Sequence, residues 1–266
     1  MTPPPPPIQT EIWFEEAEPD NPYATHAAYC RGYDVFGEMV GGARWVEMLF
    51  LLFQRELPPP PALELLEALA VGLANPGPRD PAVHAAMSGG VAGSPAAASL
   101  MAALAVGAGR HAGARDVFDA MTLWAACGTD LSAWERNLNQ ADEGIDIWPE
   151  REHAPGFDPN GTSAPLAIRL FLSTLASLGD FPRLRWLADH REALESVAGM
   201  PLSIAGIAAA ALSDAGFAPP AGEMLYLLLR LPGAAAHALE QEPLGYRRFP
   251  FPPIVLEDDP AGRENT

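Results

Sequence analysis

The chain has 266 residues, of which 48% are hydrophobic and 19% are charged. It is therefore long enough to bury the core of one large domain or of two modest ones. Its formal net charge is −18, from 34 acidic residues against 16 basic ones. Since like charges repel, this balance argues against nucleic acids and anionic membranes as partners. All of the basic residues are arginine, which excludes Schiff-base lysines, pyridoxal phosphate attachment and the P-loop lysine.

Cysteine and histidine usage predicts a reduced, metal-free, cytoplasmic protein. The two cysteines, Cys30 and Cys127, cannot alone form a disulfide framework or a four-ligand zinc site. The histidines show no paired ligand spacing, so no metal site is predicted. The first residues, Met1-Thr2 followed by five prolines, lack the positive start and apolar run of a secretory signal. They predict a polyproline II tail, and a ligand for a proline-reading partner stays open as the alternative.

Apolar residues recur at helical spacing along most of the chain, and no alternating Val, Ile and Thr run indicates a sheet. The sequence therefore predicts an all-α fold. Between Asp80 and Arg110 lie 29 residues without a formal charge. They are mostly alanine and are broken by glycine and proline, so they predict a buried pair of small-residue helices rather than a membrane span. The segments with helical spacing are 46–57, 63–73, 97–108, 114–127, 165–178, 183–197, 204–214 and 223–231, of which 97–108 lies within this uncharged stretch.

Two glycine- and proline-rich breaks divide the chain, at 107–113 and 217–220. Their spacing predicts a middle lobe over residues 114–217. The first 23 residues are predicted as a proline-rich tail, and residues 252–266 as an acidic one.

Six short segments, taken in order, resemble the citrate synthase family, and most closely its short citryl-CoA lyase-like members. None is specific alone, because each consists of a few common residues. Their common order over roughly residues 28 to 250 carries the resemblance. The segments are Arg31-Gly32-Tyr33-Asp34, Arg55-Glu56-Leu57-Pro58, His111-Ala112-Gly113-Ala114-Arg115-Asp116, Pro155-Gly156-Phe157, Pro201 to Phe217, and Leu229 to Gln241.

The resemblance implies an all-α, two-lobe subunit that works as a homodimer. The large lobe would comprise 24–113 and 218–251, and the small lobe 114–217. The family's reaction is Claisen or retro-Claisen carbon–carbon chemistry on a coenzyme A thioester and a di- or tricarboxylate. The resemblance thus implies a lyase or transferase that uses a coenzyme A thioester, with no metal.

Three family roles transfer to residues of this chain. His111 matches the histidine that holds the enol oxygen, and Arg230 matches an arginine that binds the substrate carboxylate; guanidinium forks suit that task. Arg247 or Arg248 falls where the family places an arginine that reaches the neighbouring subunit's site. Each residue also has a purely structural alternative. His111 could be an ordinary histidine in a polar turn, Arg230 an ordinary arginine near a helix end, and Arg247 and Arg248 a solvated basic pair. Asp116 is interpreted as a helix-start carboxylate.

Three other family roles have no matching residue, and one of them is a carboxylate-binding arginine, in whose place the chain has Ala164-Pro165-Leu166. The family's catalytic aspartate corresponds to Ala205, and the loop after Pro155 has no histidine. Asp158 in that loop and His153 just before it are candidate substitutes. An aspartate before proline is more typical of a turn, and a histidine in a charged loop is more typical of solvated surface.

The sequence leaves two functions open. The chain is either a divergent citryl-CoA lyase or citrate synthase-like enzyme, or an inactive family member. In the second case it would bind coenzyme A and a carboxylate, regulate, or pair with a complete family member as a heterodimer. Loss of a positioned general base commonly costs about 10² to 10⁴ in rate, which weighs against ordinary turnover.

Overall fold

The computed structural model describes residues 10–139 and 154–248, and it is mostly helical. Its helices lie where apolar periodicity predicts them, with two additions. A short helix follows Asp130, and the last helix is longer than predicted. The α-helices are α1 (Trp45–Phe53), α2 (Pro60–Leu73), α3 (Pro81–Val91), α4 (Ala96–Gly107), α5 (Ala114–Cys127), α6 (Leu131–Asn139), α7 (Leu166–Ser177), α8 (Pro182–Ala198), α9 (Ile204–Asp214) and α10 (Pro219–Gln241).

A small antiparallel sheet precedes the helices, in the order β1 (Trp13–Glu18), β2 (Asn21–Cys30) and β3 (Tyr33–Asp34). A short π-helical turn, Val35–Met39, follows it. The predicted tail over residues 1–23 thus differs from the structure, because β1 and the start of β2 lie within it. The sequence did not reveal these strands because both faces of β1 are largely exposed and so show no alternation of apolar and polar residues.

The described residues divide into two compact units. Unit 1 contains 10–74, 108–139 and 154–230, and unit 2 contains 75–107 and 231–248. The ends of the predicted small lobe, 114–217, fall inside unit 1. The physical reason is that α5 and α9 share one apolar core with α1 and α2. The two-lobe assignment of the resemblance is a separate division and stays a prediction.

Helix α9 lies at the centre of unit 1. Its residues from Ala205 to Leu212 are all fully buried, as expected for a helix that is apolar all round. The Ser203 hydroxyl accepts the Gly206 N–H at 3.3 Å and caps its start. At its other end, the buried Asp214 carboxylate accepts the Arg183 and Leu184 N–H groups and so caps α8. Burial raises the pKa of Asp214, against the lowering effect of these hydrogen bonds.

The short helix α6 forms in a stretch that apolar periodicity leaves unassigned. The Asp130 carboxylate accepts the Ser132 N–H at 3.0 Å and starts the helix. Trp134 then packs edge-on against Trp124 with ring centroids 4.8 Å apart, and its indole N–H donates to the Gly128 carbonyl at 3.0 Å. Tertiary packing of one aromatic side chain therefore determines α6.

Unit 2 confirms the predicted pair of small-residue helices. In α3, Gly89 lies against Ser99 of α4, and Gly90 lies against the backbone of Ala238 in α10. The α3 N-terminus is capped by the Asp80 carboxylate, which accepts the Ala82 N–H at 3.0 Å. Among the described residues, no helix combines the length and the apolarity that crossing a membrane requires.

The contact of Gly90 with Ala238 gives a test of unit 2. A Cβ at Gly90 would collide with the Ala238 carbonyl oxygen. Gly90→Ala is expected to lower the free energy of unfolding by about 1–3 kcal/mol, although alanine is the better helix former. Ser88→Ala, at an exposed position of the same helix, should change it by less than about 0.5 kcal/mol. Urea titration measures both, and a Gly90→Ala protein as stable as wild type would contradict the close packing.

Candidate functional site at the first turns of α5 and α9

Three segments that are distant in the sequence meet in unit 1. They are the turn before α5, the loop at 155–158, and the segment at 201–206 that enters α9. Hydrogen bonds join the loop to both α5 and α9. The sequence predicted functional positions in all three segments, and the structure places them around one region.

The turn that carries His111 is exposed and lies directly before α5. Its next residue, Ala112, has a φ of 56°, a left-handed conformation that alanine rarely adopts. An Arg230 Nη1–H group donates to the Ala112 carbonyl at 3.3 Å. This contact holds the strained turn and ties it to α10.

Arg230 itself is buried, with 8% of its surface exposed. Its guanidinium carbon lies 4.8 Å from the centroid of the Tyr226 ring, one helical turn earlier in α10. The structure thus places Arg230 against the turn that carries His111; these are the two residues that the resemblance assigns to substrate.

Two arginines and a helix N-terminus lie at this turn of a strongly acidic chain, together with the buried Asp116 carboxylate in the first turn of α5. Arg110 is exposed beside His111, and Arg230 lies beneath. The α5 N-terminus begins at Gly113 without a side-chain hydrogen bond to its cap. A helix N-terminus carries a partial positive charge and favours anions. Arg115 contributes less, because it pairs with Asp119 at 3.5 Å and with Glu223 at 3.9 Å.

Asp116, in the first turn of α5, is buried and 2% exposed. Its Oδ1 atom accepts the Gly156 N–H at 3.0 Å, which fixes the loop against α5. The interpretation as a helix-start carboxylate misses this contact. Spacing could not reveal it, because the partner is a backbone amide 40 residues away.

The loop then pairs with the entry to α9. Phe157 and Leu202 form an antiparallel bridge. Two backbone hydrogen bonds flank it: the Ser203 N–H donates to the Gly156 carbonyl at 3.0 Å, and the Asp158 N–H donates to the Pro201 carbonyl at 2.8 Å.

The backbones of Gly156 and Gly206 also lie in close contact. Gly156 has a φ of 87°, and a Cβ on it would lie 2.9 Å from the Gly206 Cα. Only glycine fits this approach of two backbones.

Ala205, which the resemblance aligns with the family's catalytic aspartate, lies in the first turn of α9 with no exposed surface. Its methyl group belongs to the apolar core of unit 1. The position therefore contains a packed alanine and offers no group that could take a proton.

Asp158 and His153, the candidate substitutes, stay predictions. The Asp158 carboxylate accepts the Asn160 N–H at 2.9 Å. It therefore forms a tight turn, as is typical of an aspartate before proline. His153 lies outside the described residues. Arg247 and Arg248 are exposed in a turn after α10, within unit 2. Their predicted role at a neighbouring subunit's site stays a prediction.

The described residues contain no group of three or more His, Cys, Asp or Glu side chains that could hold a metal ion. Cys30 and Cys127 are buried thiols. Burial raises the pKa of both, and the effect exceeds the lowering by Arg31 and Arg136 respectively. A raised pKa disfavours the nucleophilic thiolate, so neither cysteine suits nucleophilic chemistry.

Comparison by sequence with protein families and with curated proteins gives no match. Comparison by structure does. The chain is similar to citryl-CoA lyase from Hydrogenobacter thermophilus, with a TM-score of 0.69, 20% identity, and coverage of 97% of this chain and 94% of that chain.

Two further matches are ATP citrate lyases. One, from Methanothrix soehngenii in complex with citrate and coenzyme A, has a TM-score of 0.70. The other, a Methanosaeta concilii variant with aspartate replaced by alanine, in complex with (3S)-citryl-CoA, has a TM-score of 0.71. Each is 17% identical and covers 98% of this chain but only 44% of the longer one. These likenesses confirm the fold expected from the sequence: the chain has a citrate synthase-like fold, shared with citryl-CoA lyase.

Proposed function

We propose that this chain binds a coenzyme A thioester together with a di- or tricarboxylate at the His111 turn, without ordinary Claisen or retro-Claisen turnover. The observation that carries the proposal is the contrast between two positions. Arg230 is retained and holds the His111 turn, whereas Ala205 is a buried apolar residue where a base is required.

Charge supports an anionic ligand at this turn. In a chain of net charge −18, Arg110, His111, Arg230 and the positive end of α5 lie together. Citrate and the phosphates of coenzyme A are multiply charged anions, which arginine and a helix N-terminus bind well. The similar structures support the same ligand class, since one contains citrate with coenzyme A and another contains (3S)-citryl-CoA.

The absence of a base supports binding without turnover. Both directions of the family's reaction pass a proton to or from a carboxylate, and removal of such a group costs about 10² to 10⁴ in rate. The Asp158 carboxylate is hydrogen-bonded in its own turn. It is also notable that the complex with intact (3S)-citryl-CoA comes from an aspartate-to-alanine variant.

Arg230 provides the first test of the ligand site. Arg230→Gln removes the positive charge behind the His111 turn, and its effect on citrate affinity in the presence of coenzyme A can be measured by calorimetry. Loss of a charge-assisted contact should weaken binding about 10- to 100-fold. The matched control is Arg191→Gln on α8, a partly buried arginine that pairs with Glu192 and Glu195.

Both variants change the net charge equally, so only a local role of Arg230 separates them. Equal affinity of the two variants for citrate would contradict the assignment of the ligand site to the His111 turn. Thermal unfolding of each variant without ligand shows whether a loss of citrate affinity arises from a loss of folded structure instead.

Ala205 provides the second test. Ala205→Asp places a carboxylate in a fully buried position of α9. An unpaired buried charge is expected to lower the free energy of unfolding by about 3 kcal/mol or more, without restoring turnover. Ala193→Asp, at an exposed position of α8, should change stability by less than about 0.5 kcal/mol. An Ala205→Asp protein of wild-type stability that cleaves citryl-CoA would show that the site is open and lacks only its base.

A further inference from the structure

The buried carboxylate of Asp116 connects the two halves of the candidate site. Asp116 belongs to the first turn of α5, which starts directly after the His111 turn. Its Oδ1 atom accepts the Gly156 N–H at 3.0 Å. The first turn of α5 therefore follows directly on the His111 turn and also holds the 155–158 loop.

Both backbone polar groups of Gly156 are hydrogen-bonded. Its N–H donates to Asp116, and its carbonyl accepts the Ser203 N–H at 3.0 Å. Ser203 in turn caps α9 through the Gly206 N–H. A continuous path of hydrogen bonds thus runs from α5 through the loop to α9.

The geometry leaves this path little freedom. Gly156 has a φ of 87°, and its backbone lies against Gly206 so closely that a Cβ on either glycine would meet the other's backbone. A buried carboxylate that accepts an amide N–H is held more firmly than an exposed one, because leaving the amide unpaired costs free energy. The loop therefore has one well-defined position while Asp116 is in place.

We infer that Asp116 is a positioning residue, which fixes the 155–158 loop beside the His111 turn and so sets the shape that an anionic ligand meets there. This inference rests on the proposed function for its ligand. The inferred effect of Asp116 on the ligand is exerted through the Gly156 amide that it holds.

Three variants test the inference. Asp116→Ala removes the acceptor, and Asp116→Asn keeps an acceptor oxygen for the Gly156 N–H but removes the charge. The control is Asp214→Ala. Asp214 has no exposed side-chain surface and also accepts backbone N–H groups in unit 1, from Arg183 and Leu184. Its loss should destabilise unit 1 without touching the loop.

The first readout needs no ligand. Hydrogen exchange is measured on the wild-type protein and the variants, at the amides of Gly156 and Ser203. Asp116→Ala should speed exchange there by about tenfold or more, whereas Asp116→Asn should stay within a few-fold of wild type. Asp214→Ala should instead speed exchange at the first turn of α8. Unchanged exchange at Gly156 in Asp116→Ala, or equal loosening in Asp116→Asn, would overturn the positioning role.

The second readout is the affinity for citrate in the presence of coenzyme A. Asp116→Ala should bind about tenfold more weakly, Asp116→Asn should recover most of the affinity, and Asp214→Ala should match wild type. Affinity that follows overall stability across the variants would show a merely structural role. If wild type binds neither ligand, the proposed function fails, while the exchange data still decide whether Asp116 holds the loop.

Discussion

The structure of the site depends on the close approach of two glycines, Gly156 and Gly206. Because neither residue has a side chain, the 155–158 loop can lie directly on the first turn of α9, and Phe157 can pair with Leu202. Ala205, next to Gly206 in the same turn, is fully buried in the apolar core; under the proposed function it stands where the base would be. A change that widened the contact between the two glycines would expose the turn of α9 and disturb the loop that Asp116 holds.

Charge is the second organising feature. In a chain with net charge −18, Arg110 and His111 lie in the exposed turn directly before α5. Arg230 is buried against Tyr226 and donates to the strained turn at Ala112. The fold thus fixes the guanidinium of Arg230 in place, as the proposed anion site requires.

Most of the fold could be predicted because α1 to α5 and α7 to α9 show apolar periodicity and clear stops, such as the prolines before α2. The hairpin of β1 and β2 could not, since β1 is largely exposed and only the end of β2, at Ala28 and Cys30, is buried, and α6 depends in part on the packing of Trp134 against Trp124. For the site, the order of short segments indicated His111, Arg230 and Ala205. Asp116 does lie at the start of α5 as expected, but its contact with Gly156 could not be predicted, because a hydrogen bond to a distant backbone amide leaves no trace in spacing.

The central claim is that the site keeps its affinity for a coenzyme A thioester and a carboxylate but has lost its base. The most direct measurement is to mix the wild-type protein with citryl-CoA and follow both the bound fraction and the release of acetyl-CoA over time. We expect saturable binding of citryl-CoA, with acetyl-CoA released no faster than in buffer alone. Catalytic release at many turnovers per protein, or no binding at all, would contradict the central claim.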